Sequence, residues 1–190
     1  MAAQKRSDIQ TLPCLIFNSV GQKEEARGFF NINKLRKPIS AIDTFRALLI
    51  AGDEIALFVK QICDELDIEI TKNSNHAHQL KCIAIAQNLA KNNKDDFIQI
   101  MTFVNTLCGD VMAISDRLLT GISYINAHCE YGLNNKKLTT RLLEAGPVRL
   151  LEGANKASMY FNKGGPKIFA QGFLDVINKG LKIKFTLDKD

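Results

Sequence analysis

The chain has 190 residues, 46% apolar and 24% charged, with 25 Lys and Arg against 20 Asp and Glu. These figures exclude a disordered, collagen-like or low-complexity chain and describe one domain's worth of ordinary globular composition. No apolar run reaches the roughly 18 residues of a membrane span, and the polar start from Met1 to Gln10 predicts no secretory signal.

The first predicted element is a buried strand over 10–17, centred on Leu12-Pro13-Cys14-Leu15-Ile16-Phe17. Pro13 has no N–H to donate to a ladder, so it belongs near a strand start or an edge. Gln22 to Ile32 then reads as a helix, with Ala26, Phe29 and Phe30 on one side and Lys23, Glu24 and Arg27 on the other. The stretch Asn33 to Pro38 is expected to break it. Ser40 with Asp43 approximates a capping box and opens a helical hairpin over Ser40 to Leu66. Its connection is the tight Ala51-Gly52-Asp53, with Asp53 able to cap the second helix.

Asp67 to Thr71 alternates strictly and predicts a strand over 67–71; Lys182 to Leu187 alternates in the same way and predicts another over 181–187. Asp67 and Glu69 on one polar face and Lys182 and Lys184 on the other suggest that these two strands pair. Between them six helices are expected: His76 to Lys91, Asp95 to Leu107, Val111 to His128, Asn135 to Ala145, Val148 to Tyr160 and Pro166 to Asn178. The fold class is therefore mainly α, a bundle of about eight helices with a few short strands. Two regions are expected, 1–71 and a helical 72–190, packed as one unit.

Five widely spaced cysteines, without a CxxC, suit a reducing compartment with buried thiols, and a cytoplasmic protein is expected. His76, His78 and Cys82 carry metal-donor types, but positions two apart on a helix diverge, leaving two ligands where a structural zinc site needs four. His128 and Cys129 are neighbours and so point apart, which supplies no nucleophile–base dyad. Gly164-Gly165-Pro166, flanked by Lys163 and Lys167, is either a turn or an anion cradle at a helix start. No nucleotide loop motif is present, so neither a cofactor nor a metal is expected.

The charge is distributed unevenly. Met1 to Glu130 carries 14 Lys and Arg against 15 Asp and Glu, whereas Tyr131 to Asp190 carries 11 against 5. Clustered cations attract polyanions by releasing counterions. Within the basic third, Lys136 to Asn162 reads as helix, Gly146-Pro147 turn, helix, an arrangement shared by DNA-reading units and by plain αα-hairpins. Lys136, Lys137 and Arg141 fall on the first helix; Arg149, Lys156 and Lys163 recur by sevens on the second, with Glu152 close to their line. Lys34, Arg36 and Lys37 form a further cluster just before a helix start, suited to phosphate or simply a solvated turn.

The order of features over the first 60 or so residues resembles part of the ParB/sulfiredoxin-like proteins of phages and mobile elements. The resemblance is carried by Ala2-Ala3, the apolar strand, Glu25-Ala26, Phe29, Ile32-Asn33, Arg36-Lys37-Pro38, Ser40, Phe45-Arg46-Ala47 and Ala51-Gly52-Asp53. Those proteins carry an Asp-Gly-Gln-His-Arg segment that holds their proposed catalytic or nucleotide-binding residues, and this chain has none. The resemblance thus implies a shortened relative without enzymatic activity; together with the clustered cations it leads to the expectation of a DNA-associated module that meets the phosphates of double-stranded DNA through Lys34, Arg36, Lys37, Lys136, Lys137, Arg141, Arg149 and Lys156. A strand lacking its neighbours also suggests a homodimer through 10–17. The alternative is a protein-interaction module that binds no nucleic acid.

Overall fold

The computed structural model describes residues 21–36, 39–72 and 76–187, a mainly helical bundle with eight helices among them. The expected strand over 10–17, and the dimer through it, lie outside the described residues. Helix α1 (Gln22–Arg36) runs four residues past its expected end. Asn33 to Arg36 contain no breaker, and Pro38 restricts only the residue directly before it.

Helices α2 (Ala41–Ile50) and α3 (Glu54–Glu65) form the expected hairpin. Ser40 Oγ accepts from Asp43 N at 3.2 Å, and Asp53 Oδ1 accepts from Ala56 N at 2.9 Å. Lys72 Nζ reaches Asp43 Oδ2 at 2.7 Å, which anchors the loop after the hairpin to α2. This contact, and then the Ser40 hydroxyl, holds the Asp43 carboxyl below its ordinary value.

The expected pairing of 67–71 with 181–187 is not formed. Strand β1 (Glu69–Ile70) pairs in parallel with β2 (Gln79–Leu80), Glu69 opposite Gln79 and Ile70 opposite Leu80. Gln79 Nε2 donates to Glu69 Oε2 at 2.8 Å, so an amide, not a lysine, meets that carboxylate. The other edge of β2 is bridged by Ile114, whose N–H donates to Gln79 O at 2.9 Å.

This small sheet also explains why no helix starts at His76. Leu80 is fully buried between its two neighbours, and His78 turns the chain through a positive φ of 55°. Helix α4 (Ile83–Asn92) therefore starts late, and its inward stripe is Ile83, Ala86 and Ala90, with Ala84 exposed. His78 Nε2 lies 3.0 Å from Asp110 Oδ1, while Cys82 Sγ is directed at Ile114 O. The two share no helix face.

Helix α5 (Lys94–Cys108) is capped by Asn93; α6 (Asp116–His128) is capped by Ser115 and starts later than expected, because Ile114 bridges to β2. A short 3-10 turn (Gly132–Asn134) leads to α7 (Lys136–Phe161), and α8 (Pro166–Ile177) completes the bundle. One continuous apolar core runs from Ile42 to Ile177. Cys63 and Cys108 are buried in it and Cys82 packs against it; burial pushes all three thiols up to about 12, so they stay protonated at neutral pH. Cys129 is buried at the end of α6, and the His128 ring stacks on Tyr124 at 4.0 Å. Among the described residues no helix is long and apolar enough to cross a membrane.

Helix α8 lies against both α6 and α7. Gly153 and Gly172 meet across the α7–α8 seam so closely that a Cβ on either would stand 2.5 Å from the other's carbonyl oxygen. The absence of side chains there lets the two backbones touch, and it fixes how the second half of α7 is presented to solvent.

Candidate nucleic-acid interface

Five of the eight described helices open on acid: Glu24 and Glu25 in α1, Asp43 in α2, Glu54 in α3, Asp95 and Asp96 in α5, Asp116 in α6. Carboxylates are favoured there by the positive end of the helix dipole. Helix α7 instead opens on Lys136 and Lys137, with Asn135 Oδ1 accepting from Leu138 N at 3.3 Å as its cap. Two lysines at a positive helix end gain nothing for folding, but they concentrate positive potential where an anion can collect it.

The expected helix-turn-helix is tighter than a turn. A single non-helical residue, Gly146 (φ 73°, ψ 162°), separates 136–145 from 147–161, and buried Pro147 follows it. Nothing lies within 4 Å of a Cβ placed on Gly146, so its role is the left-handed backbone and not close packing. The two halves keep their apolar stripes inward, with Leu138, Leu142, Leu150 and Ala154 buried. Lys136, Lys137, Arg149 and Lys156 are exposed and Arg141 is half-buried. Lys163 lies beyond the left-handed cap Asn162, so the seven-residue series on the helix ends at Lys156.

The tail brings further cations to this surface. Asn178, at the end of α8, grips Phe185 with its carboxamide: Oδ1 accepts from Phe185 N at 2.8 Å and Nδ2 donates to Phe185 O at 2.9 Å. The expected strand over 181–187 is therefore an irregular loop whose backbone is satisfied by a side chain. Phe185 and Leu187 pack on the core, while Lys182, Ile183 and Lys184 face solvent. The lysines face solvent as the alternation predicts, but Ile183, expected on the apolar face, is 89% exposed, because 181–187 is not a strand.

The outcome is a cleft of about 880 Å³ lined by Lys136, Lys137 and Arg141 from α7 and by Lys182 and Lys184 from the tail, with Glu130 and Glu144 as its carboxylates. A second groove, of about 610 Å³, lies along the α7–α8 seam and holds Arg149, Lys156 and Lys179. Among the described residues, no carboxylate lies within 4.0 Å of the charged nitrogens of any of these eight cations. That includes Arg141, which does not pair with Glu144. Residues 131–187 hold ten Lys and Arg against three Asp and Glu. Comparison with protein-family models, curated proteins and solved structures finds no match to this chain.

Five of the eight expected contact residues thus line these two clefts. Lys34 and Arg36 are in the last turn of α1, not in a loop before a helix start, and their side chains, like Lys37, lie outside the described residues. At Gly164-Gly165-Pro166, which the sequence leaves as either a turn or an anion cradle, Gly165 is the cap of α8 with a φ of 122°, and no side-chain hydrogen bond caps that helix. Lys182 and Lys184 are not among the expected contact residues because strand-like alternation places them opposite Asp67 and Glu69, and Lys179, a single lysine after the α8 stripe, carries no signal of its own in the sequence.

The Asn178 clamp is the part of the site most easily tested. Asn178→Ala removes two hydrogen bonds worth about 1 kcal/mol each. The Phe185 amide should then exchange with solvent at least about tenfold faster, with little change in the core helices. Unchanged protection at Phe185 would mean that burial of Phe185 and Leu187 alone holds the tail.

Proposed function

We propose that this protein is a non-enzymatic DNA-associated module that holds double-stranded DNA by its phosphates, without reading bases. The single observation that carries this reading is the set of eight cations along two clefts joined by a third groove that Lys179 and Lys184 both line, none paired with a described carboxylate. A lysine or arginine kept away from carboxylates retains its full attraction for phosphate, and several in a row release several counterions at once. Side chains of the Asn, Gln or Arg type arrayed for a groove are not part of the proposal, so binding is sequence-independent. On this proposal the role expected from the ParB-like resemblance stands on charge geometry in residues 136–184, since residues 1–20 lie outside the described residues.

The test is affinity for a duplex of mixed sequence across a salt series. If five or so phosphates are neutralised, log affinity falls against log salt with a slope of about −4 to −5. Two unrelated duplexes should give the same slope and nearly the same affinity. Absent or salt-insensitive binding ends the proposal.

A further inference from the structure

The groove along the α7–α8 seam has a property that phosphate binding does not require. Its floor is small and apolar (Gly153, Ala157, Gly172 and Val176) and one end is closed by Tyr160 and Phe161. These two rings meet edge to face at 5.0 Å and 89°. Tyr160 is 84% exposed and Phe161 45%, so a pair of aromatic rings faces water at the edge of a cationic groove. Single exposed apolar residues are ordinary; two adjoining rings flanked by cations are the combination on which unpaired bases stack.

The spacing fits that use. Lys156 precedes Tyr160 by four residues and Arg149 precedes Lys156 by seven, so cation, cation and ring follow one face of the helix over about 16 Å. Lys179 faces them from the end of α8. Glu152 and Asp175 also line the groove, two carboxylates against three cations, and Asp175 Oδ1 accepts from Gln171 Nε2 at 2.8 Å instead of pairing with a cation. In a duplex the base faces are already stacked on one another, so these rings would have nothing to receive. A single strand offers both free base faces and phosphates. A second copy of this face would bring like charges together.

We propose that this groove binds unpaired nucleotides, with bases stacked on Tyr160 and Phe161 and phosphates held by Arg149, Lys156 and Lys179. The inference rests on the phosphate-binding reading of the adjoining cleft. It makes the protein a ligand of single-stranded or locally opened DNA as well as of duplex.

The test compares an oligothymidine of about ten nucleotides with a duplex of the same length, by fluorescence anisotropy. Tyr160→Ala with Phe161→Ala should weaken oligothymidine binding about tenfold or more and leave duplex affinity within about twofold. Both rings are at the surface, and an unaltered far-UV spectrum checks that the variant folds. The chain has no Trp and three Tyr, so tyrosine emission is directly readable. Oligothymidine should quench it in the native protein and much less in Tyr160→Phe, which keeps the stacking surface and hence the affinity. Unchanged oligothymidine binding in the double alanine variant, or equal weakening for both polymers, overturns the inference while the duplex reading stands. Failure of the native protein to bind either polymer overturns both. Self-association of the native protein that the double alanine variant abolishes would make the groove a contact between copies and would also overturn the inference.

Discussion

Reversing two charges, Lys137→Glu with Arg149→Glu, is expected to lower affinity for duplex DNA at least about tenfold near physiological salt. Each cation that neutralises a phosphate contributes close to one unit of salt slope, so the slope should become shallower by about two. The two positions belong to different clefts, one on each side of Gly146, so a large joint effect requires the ligand to run along both. Because phosphates carry no sequence, the loss should be equal for unrelated duplexes. Lys91→Glu, exposed in the last turn of α4 and outside both clefts, makes a control matched to each single reversal: it changes net charge by the same step as Lys137→Glu or Arg149→Glu alone. If it weakens binding as much as either single reversal, net charge and not the surface is responsible. Undiminished binding by the double variant would remove α7 from the interface.

Gly172→Ala is expected to lower the melting temperature by several degrees, against what helix propensity alone predicts. Alanine in a helix interior is favoured over glycine by about 1 kcal/mol. Here, however, the new Cβ would meet Gly153 O at 2.5 Å, Gly153 C at 2.6 Å and Ala154 Cα at 2.7 Å. These are backbone atoms, which cannot rotate away as a flexible side-chain end could. The helices must separate, and overpacking of this kind costs about 1–3 kcal/mol or more. With the seam opened along its length the loss outweighs the propensity gain, and each net kcal/mol moves the melting point of a chain this size by about 2–4 °C. Thermal unfolding followed by circular dichroism reads the sign directly. A higher melting temperature would show that the two backbones do not touch.

How much of this was legible in the sequence depends on whether an element is decided by its own residues. The α2–α3 hairpin was readable because its caps, stripe and glycine turn are all local. So was the inward face of α7, where Leu138, Leu142, Leu150 and Ala154 recur at helical spacing on both sides of Gly146. The strands were not readable in the same way. Asp67 to Thr71 showed the right alternation, but a strand's partner is chosen by which backbone the fold brings alongside. Gln79 and Leu80, read as a helix start, reached it through the left-handed turn at His78. The tail showed strand-like alternation too, yet its hydrogen bonds went to the carboxamide of Asn178 seven residues earlier.

The candidate site divides along the same line. That the last third of the chain is basic, and that Lys136, Lys137, Arg141, Arg149 and Lys156 lie on the outer faces of two helical stretches, follows from residue type and period alone. Amphipathic spacing decides inside from outside without any knowledge of neighbours. The sequence did not determine that Lys182 and Lys184 join the first of those stretches and Lys179 the second, or that two aromatic rings end a groove between them. Those placements depend on Gly153 meeting Gly172 and on Asn178 holding Phe185, contacts between positions 19 and 7 residues apart. Only packing could choose them, because each is a juxtaposition of surfaces that no local periodicity encodes.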